Sequence, residues 1–201
     1  MIHLDRETLV KMIDHTELSS HSGEKKIANL CSEARSFGFY TVCINGGYAR
    51  YASEKLQGSG VLVCAVVGFP LGAGTRSAKA FEAREAVANG AAEIDMVLNV
   101  GSLRDGKLDA VRDDIRAVVE ASGPALVKVI LETCFLTDEE IVAGCGLAVE
   151  AGAKFVKTST GFGAFGAFPQ HVRLMRQAVG PDIGVKASGG IRNFKDAWRL
   201  I

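Results

Sequence analysis

Short runs of valine, isoleucine, leucine and phenylalanine alternate along this chain with longer stretches whose apolar residues recur every three or four positions. The first pattern suits strands covered on both faces, the second amphipathic helices. Together they predict strands at residues 10–14, 39–44, 61–68, 93–99, 126–131, 155–159 and 184–187. The intervening helices are predicted at 24–35, 77–89, 108–121, 138–151 and 169–179. Several of them end in a stop glycine just before the next strand, as at Gly90 and Gly152. Asp5 is placed to cap a further short helix running to about Lys11.

A regular strand–helix alternation specifies a parallel sheet with right-handed crossovers. A doubly wound open sheet usually has about five or six strands, so seven with no obvious reversal favour an α/β fold of the (β/α)8 TIM barrel type. After the seventh strand, residues 193–201 read as a helix, which leaves no sequence for an eighth strand. The expectation is therefore one barrel domain over residues 1–201, incomplete at its C-terminal end, with two strand edges that something else must cover. No linker or low-complexity segment divides the chain.

Charge changes the picture mainly by exclusion. The 201 residues carry 23 basic and 23 acidic side chains. That balance gives no support for nucleic acid or an anionic membrane as partner, and points to a small molecule. No window approaches about 18 consecutive apolar residues, and the N-terminus lacks a signal-peptide layout, so a soluble cytoplasmic protein is expected. Cys31, Cys43, Cys64, Cys134 and Cys145 form no Cys-x-x-Cys pair and read as reduced core residues. His3, His15, His21 and His171 have no metal-ligand spacing among themselves or with the cysteines, so no metal and no other cofactor is expected.

The candidate chemistry lies in charged residues inside the strand runs. Lys157 and Lys186 each sit near the end of a predicted strand, toward the barrel face that carries chemistry. A lysine is almost never fully buried unpaired, and the usual response to burial is a lowered pKa. A neutral amine can attack a carbonyl and form a Schiff base, and a second cation nearby helps keep it neutral. Asp95 is the matching acid, expected to pair with one or both lysines. Glu93, on the same strand face but lower, reads as structural, and Lys154, at a strand start, as solvated. Lys128 is a third in-strand lysine, functional or simply a charged neighbour of Asp95 or Glu132.

Gly189 and Gly190 follow the seventh strand and lead into a helix, a geometry in which backbone N–H groups favour a phosphate. The segment Gly161 to Gly166 spells Gly-Phe-Gly-Ala-Phe-Gly and raises a rival, a nicotinamide-dependent oxidoreductase. That fingerprint needs a helix opening within the glycines and an acid after the next strand. Here Pro169 predicts a later helix start, and Asp182 precedes the next strand.

Seven blocks carry a resemblance. They are Ile13-Asp-His-Thr16, Val42-Cys-Ile-Asn45, Val67-Gly-Phe-Pro-Leu-Gly72, Ala92-Glu-Ile-Asp-Met-Val97, Lys128-Val-Ile-Leu-Glu-Thr133, Phe155-Val-Lys-Thr-Ser-Thr-Gly-Phe162 and Val185-Lys-Ala-Ser-Gly-Gly-Ile191. In this order, on successive strands, they resemble the deoxyribose-phosphate aldolases, from about residue 10 to the last residue. The resemblance implies a class I aldolase interconverting 2-deoxy-D-ribose 5-phosphate with acetaldehyde and D-glyceraldehyde 3-phosphate, with no metal, and makes a homodimer reasonable. By the same pattern Lys157 is the Schiff-base lysine, and Asp95 and Lys186 move protons. Thr16 and Thr160 line the pocket, Gly161, Gly189 and Gly190 bind phosphate, and Lys128 joins the substrate-binding candidates.

Two positions depart from the pattern. Nothing corresponds to the Gly-x-Ser-Ser loop that completes the family's phosphate site, and Phe162 stands where some members have lysine. An inactive, truncated sugar-phosphate-binding barrel is therefore the alternative to an active enzyme.

Overall fold

A computed structural model describes residues 5–201; His3 lies outside them. Its strands are β1 (Asp14–Glu17), β2 (Thr41–Asn45), β3 (Leu62–Val67), β4 (Glu93–Val97), β5 (Leu126–Ile130), β6 (Phe155–Lys157) and β7 (Gly184–Lys186). Its helices are α1 (Arg6–Val10), α2 (Glu24–Phe37), α3 (Ala49–Leu56), α4 (Arg76–Ala88), α5 (Val100–Arg104), α6 (Leu108–Ser122), α7 (Asp138–Glu150), α8 (Pro169–Val179) and α9 (Phe194–Trp198). The strands form one parallel sheet in sequence order, β1 to β7, each paired with the next. The sheet curls until its two ends approach. Among the described residues no ladder joins β7 to β1, yet Lys186 on β7 donates to the Met12 carbonyl oxygen just before β1.

Local chemistry explains most boundaries. Asp5 caps α1 by accepting from the Thr8 N–H at 2.7 Å, and Thr137 forms a reciprocal capping box with Glu140 at the start of α7. Gly38 takes a left-handed conformation to end α2. Pro169 opens α8 at its first position, as the sequence predicts.

The predicted first strand is displaced. Residues 10–13, the apolar run read as strand, instead finish α1 and turn, while the paired strand is the polar Asp14–Glu17. An apolar run is a poor guide there because one face of β1 carries Asp14 and Thr16 inward and the other stacks His15 on Phe39 at 4.8 Å. Strands β6 and β7 stop at their lysines, earlier than predicted, and α9 is shorter than the predicted 193–201 helix. Helices α3 and α5 were not predicted; both are short, and propensity signals weaken with length. Among the described residues no helix is long and apolar enough to cross a membrane.

The apolar core fills the space between the outer face of the sheet and the helices. Ile44, Val63, Ile94, Met96, Val127, Val129 and Val156 are buried there against Ile27, Ile115, Ile141 and Met175. The opposite face has only a small apolar cluster, Cys43, Cys64 and Val66, beside Leu18 and Phe69. That inner face also carries Asp14, Glu93, Asp95, Lys128, Lys157 and Lys186.

Candidate active site

Side chains alternate along a strand, and partners in register on adjacent strands share a face. Asp95 on β4 is registered with Lys128 on β5, and Lys157 on β6 with Lys186 on β7. Asp14 and Thr16 on β1 point to the same interior. The curl of the sheet thus collects into one space five charged groups separated by as many as 172 positions, from Asp14 to Lys186.

Asp95 is fully buried and holds two ammonium groups at once. Its Oδ2 accepts from Lys157 Nζ at 2.5 Å and its Oδ1 from Lys128 Nζ at 2.9 Å. Lys128 Nζ also lies 2.5 Å from Glu93 Oε2 and 3.5 Å from Asp14 Oδ2, at ion-pair distance without hydrogen-bond alignment. Asp14 Oδ1 in turn meets Lys186 Nζ at 2.8 Å. The result is a continuous chain of alternating charge: Lys157, Asp95, Lys128, Asp14, Lys186.

Of the two lysines expected to pair with Asp95, Lys157 does and Lys186 does not: Asp95 bridges Lys157 and Lys128, while Lys186 turns to Asp14. The expected lowering of the Lys157 pKa is corrected: it is not lowered in this arrangement. Burial pulls it down, but the Asp95 carboxylate outweighs burial and holds it above the ordinary lysine value. For Asp95 burial favours the neutral acid, and Lys157 and Lys128 together overcome it, leaving the pKa well below the carboxylate range. Burial likewise opposes the charge of Asp14, and Lys128 and Lys186 still hold its pKa down. Lysine type and strand position are visible in sequence, whereas the choice of carboxylate is a matter of three-dimensional register.

The remaining candidates fall into two groups. Thr16 is exposed on the inner face of β1, its hydroxyl donating to the Asp14 carbonyl oxygen at 2.8 Å. Thr160 is buried, and its hydroxyl donates to Glu132 rather than projecting freely. Gly161 and Gly189 lie together: a Cβ on Gly161 would stand 3.8 Å from the Gly189 Cα. A Cβ on Gly166 would strike the Gly189 carbonyl oxygen at 2.1 Å, so the 161–166 loop crosses the turn after β7 at backbone contact. Ser188 fastens the crossing, accepting from the Ser159 N–H at 3.2 Å and donating to the Ser159 carbonyl oxygen at 2.6 Å. Gly190 is exposed beyond it with φ near +80°. Lys154 is exposed and Glu93 buried against Lys128, in line with their sequence readings.

Asp14 was missed as a site residue because the misplaced first strand hid its inward direction; its two-residue spacing from Thr16 was the available signal. The sequence offers Glu132 as a partner for Lys128, yet its carboxylate turns to Thr160. Cys43 and Cys64, whose spacing in sequence gives no hint of a cluster, are registered partners beside Asp95, their sulfurs and its carboxylate within 4.8 Å. Both Asp95 oxygens already accept from ammonium groups, and Lys128 Nζ lies 3.5 Å from the Cys64 sulfur, so the positive charge around this cluster opposes a cation there. Helix α8 opens three residues after Gly166, outside the glycine segment, which does not fit a dinucleotide fingerprint.

A family model described as DeoC/LacD family aldolase matches residues 8–199. A protein of Streptococcus pneumoniae serotype 19F (strain G54) named deoxyribose-phosphate aldolase is 59% identical over 193 residues, which is 96% of this chain and 88% of that one. A protein of the same name from Geobacillus sp. (strain WCH70) is 56% identical over 194 residues, 96% of this chain and 87% of that one. Among solved structures, the deoxyribose phosphate aldolase of Aeropyrum pernix, described as a unique tetramer, superposes with a TM-score of 0.91 at 34% identity, over 98% of this chain and 83% of that one.

Proposed function

The chain belongs to the DeoC/LacD family of aldolases, and from that premise we propose how its inner-face charges carry out deoxyribose-phosphate aldolase chemistry. The reaction is the reversible cleavage of 2-deoxy-D-ribose 5-phosphate to acetaldehyde and D-glyceraldehyde 3-phosphate, a carbon–carbon lyase reaction. On this reading the seven-stranded sheet is the greater part of a (β/α)8 barrel forming one domain over residues 1–201, and Lys157 is the nucleophile.

The observation that supports this reading is that Lys157 shares its carboxylate with a second lysine. A buried lysine whose only partner is one carboxylate leaves that carboxylate orphaned when it reacts, which is strongly unfavourable. Asp95 keeps Lys128 after Lys157 has surrendered a proton, so it can pass that proton on while its own second oxygen stays paired.

The neutral Lys157 amine attacks the aldehyde carbonyl carbon, and the oxygen takes a proton to give a carbinolamine. Loss of water then leaves an iminium, which retains a positive charge at the position the ammonium held beside Asp95. Removal of the proton from the hydroxyl at C3 breaks the C2–C3 bond, and the electron pair is drawn into the iminium as an enamine, releasing glyceraldehyde 3-phosphate. Protonation of the enamine carbon and addition of water return acetaldehyde and the free lysine. Asp95, with Lys186 coupled to it through Asp14 and Lys128, relays protons for these steps; Thr16 lies on the same face. Gly161 and Gly189 meet at the loop crossing where the phosphate would sit, with Gly190 next to it in the chain.

Incubation with acetaldehyde and sodium borohydride followed by peptide mapping tests the assignment. An ethyl group on the Lys157 peptide is the expected result; its absence, or its appearance on Lys186 or Lys128 instead, would overturn it.

A further inference from the structure

Glu132 stands apart from the charge chain. It lies two residues past the end of β5, at the same end of the sheet as Lys157, and is only 4% exposed. Among the described residues no lysine, arginine or histidine nitrogen comes within ion-pair distance of it. Its backbone has φ +58°, in the left-handed region that residues with a Cβ seldom adopt. A buried carboxylate in a costly backbone conformation, with no cation, calls for an explanation in its hydrogen bonds.

Those bonds converge on a single turn. The carboxylate accepts from the Thr160 N–H at 3.2 Å and from the Thr160 hydroxyl. The Thr160 oxygen then accepts from the Phe162 N–H at 3.0 Å, so the turn after β6 hangs from Glu132 through Thr160. The Cys134 thiol donates to the same carboxylate at 3.8 Å. A Cβ on Gly163 would meet the Cys134 sulfur at 2.5 Å and the Glu132 carboxyl at 3.3 Å, so the loop lies directly on this pair. The loop is the one that crosses the Gly189 turn at backbone contact.

We infer that Glu132 is a positioning residue that clamps the Thr160–Gly163 turn, and so sets the main-chain groups that receive the phosphate end of the substrate. The inference rests on the aldolase reading for its substrate but not for its geometry. Glu132 is not within ion-pair distance of Lys157, whose charge is met by Asp95. Its role is to hold one wall of the pocket against the turn after β7.

The test compares 2-deoxyribose 5-phosphate with unphosphorylated 2-deoxyribose. Glu132→Ala should raise KM for the phosphorylated sugar by about tenfold or more, change kcat far less, and alter kcat/KM for the unphosphorylated sugar far less. Glu132→Gln, whose amide oxygen still accepts one hydrogen bond, should recover much of the loss. Amide exchange within residues 160–163 should accelerate in Glu132→Ala. Equal loss for both sugars, or an unchanged KM with unchanged exchange, would overturn the inference. Should Glu132→Ala fail to fold, Glu132→Gln carries the test: a smaller rise in KM and faster exchange support the clamp, and neither change overturns it. Borohydride trapping on wild-type Lys157 separates the two claims. A failure there sinks the aldolase reading, while the exchange measurement still decides the clamp.

Discussion

The two faces of the sheet bury lysine in different ways. On the outer face Lys79 of α4 is 1% exposed, its Nζ 2.6 Å from Asp114 of α6 and 3.0 Å from the Val97 carbonyl oxygen at the end of β4. It is a closed pair set in an apolar layer, and a Cβ on Gly68 would fall 2.9 Å from its stem. On the inner face Lys157 shares Asp95 with Lys128, and Lys128 is shared in turn among three carboxylates. A closed pair has no spare partner, so changing either member leaves a charge stranded. A shared carboxylate tolerates the loss of one proton, which is what a nucleophilic amine requires. Burial is common to both lysines; they differ in how many partners the carboxylate has, and on that difference the proposed reactivity of Lys157 rests.

Several substitutions would break or sharpen this contrast. Lys157→Leu should abolish turnover and imine trapping, with the protein still folded by circular dichroism; retained turnover would place the nucleophile elsewhere. Lys79→Leu should do the reverse. It leaves Asp114 buried and uncompensated and should cost about 3–5 kcal/mol in urea unfolding, with turnover per folded molecule preserved. A loss of turnover at unchanged stability would show that the outer pair is functional after all.

Acid should act on the inner face. Asp95 and Asp14 have folded pKa values below the ordinary value of 3.8, so the unfolded chain binds their protons first. Their stabilisation is complete above about pH 4 and declines as the pH falls toward the folded pKa values, by up to about 1.4 kcal/mol per pH unit for each carboxylate. Urea midpoints measured between about pH 5 and pH 2 should fall in wild type and fall less steeply in Asp95→Asn; parallel curves would mean that Asp95 is not held ionised. The smallest effect is expected from Ile94→Val on the outer face of β4, about 0.5–1.5 kcal/mol of stability with kcat unmoved, as measured by unfolding and steady-state kinetics.

These contrasts also show where sequence reading succeeds. Strands β2 to β5 were legible to within about two residues at most ends, because their Val, Ile and Leu runs are bounded by turn glycines and capped helices. Strand β1 was not, since its residues are polar on the inner face and half-buried on the outer. Lys157, Lys186, Lys128 and Asp95 stood out as charges inside apolar runs, and the structure brings all four onto the inner face. Lys79 escaped notice because a lysine in an amphipathic helix is ordinarily solvated; only the approach of α6 encloses it.

The sequence alone determined the alternation of strands and helices, the parallel sheet, and the presence of ionisable groups where chains usually place apolar ones. Those features depend on contacts a few residues apart, which periodicity and capping express directly. The tertiary structure decided which charges pair. Asp95 meets Lys157 across 62 positions and Lys128 across 33, and Asp14 reaches Lys186 only because the sheet curls its first strand toward its last. An interaction that depends on strand register and curvature leaves no local trace, so the sequence marks the lysine and the fold supplies its partner.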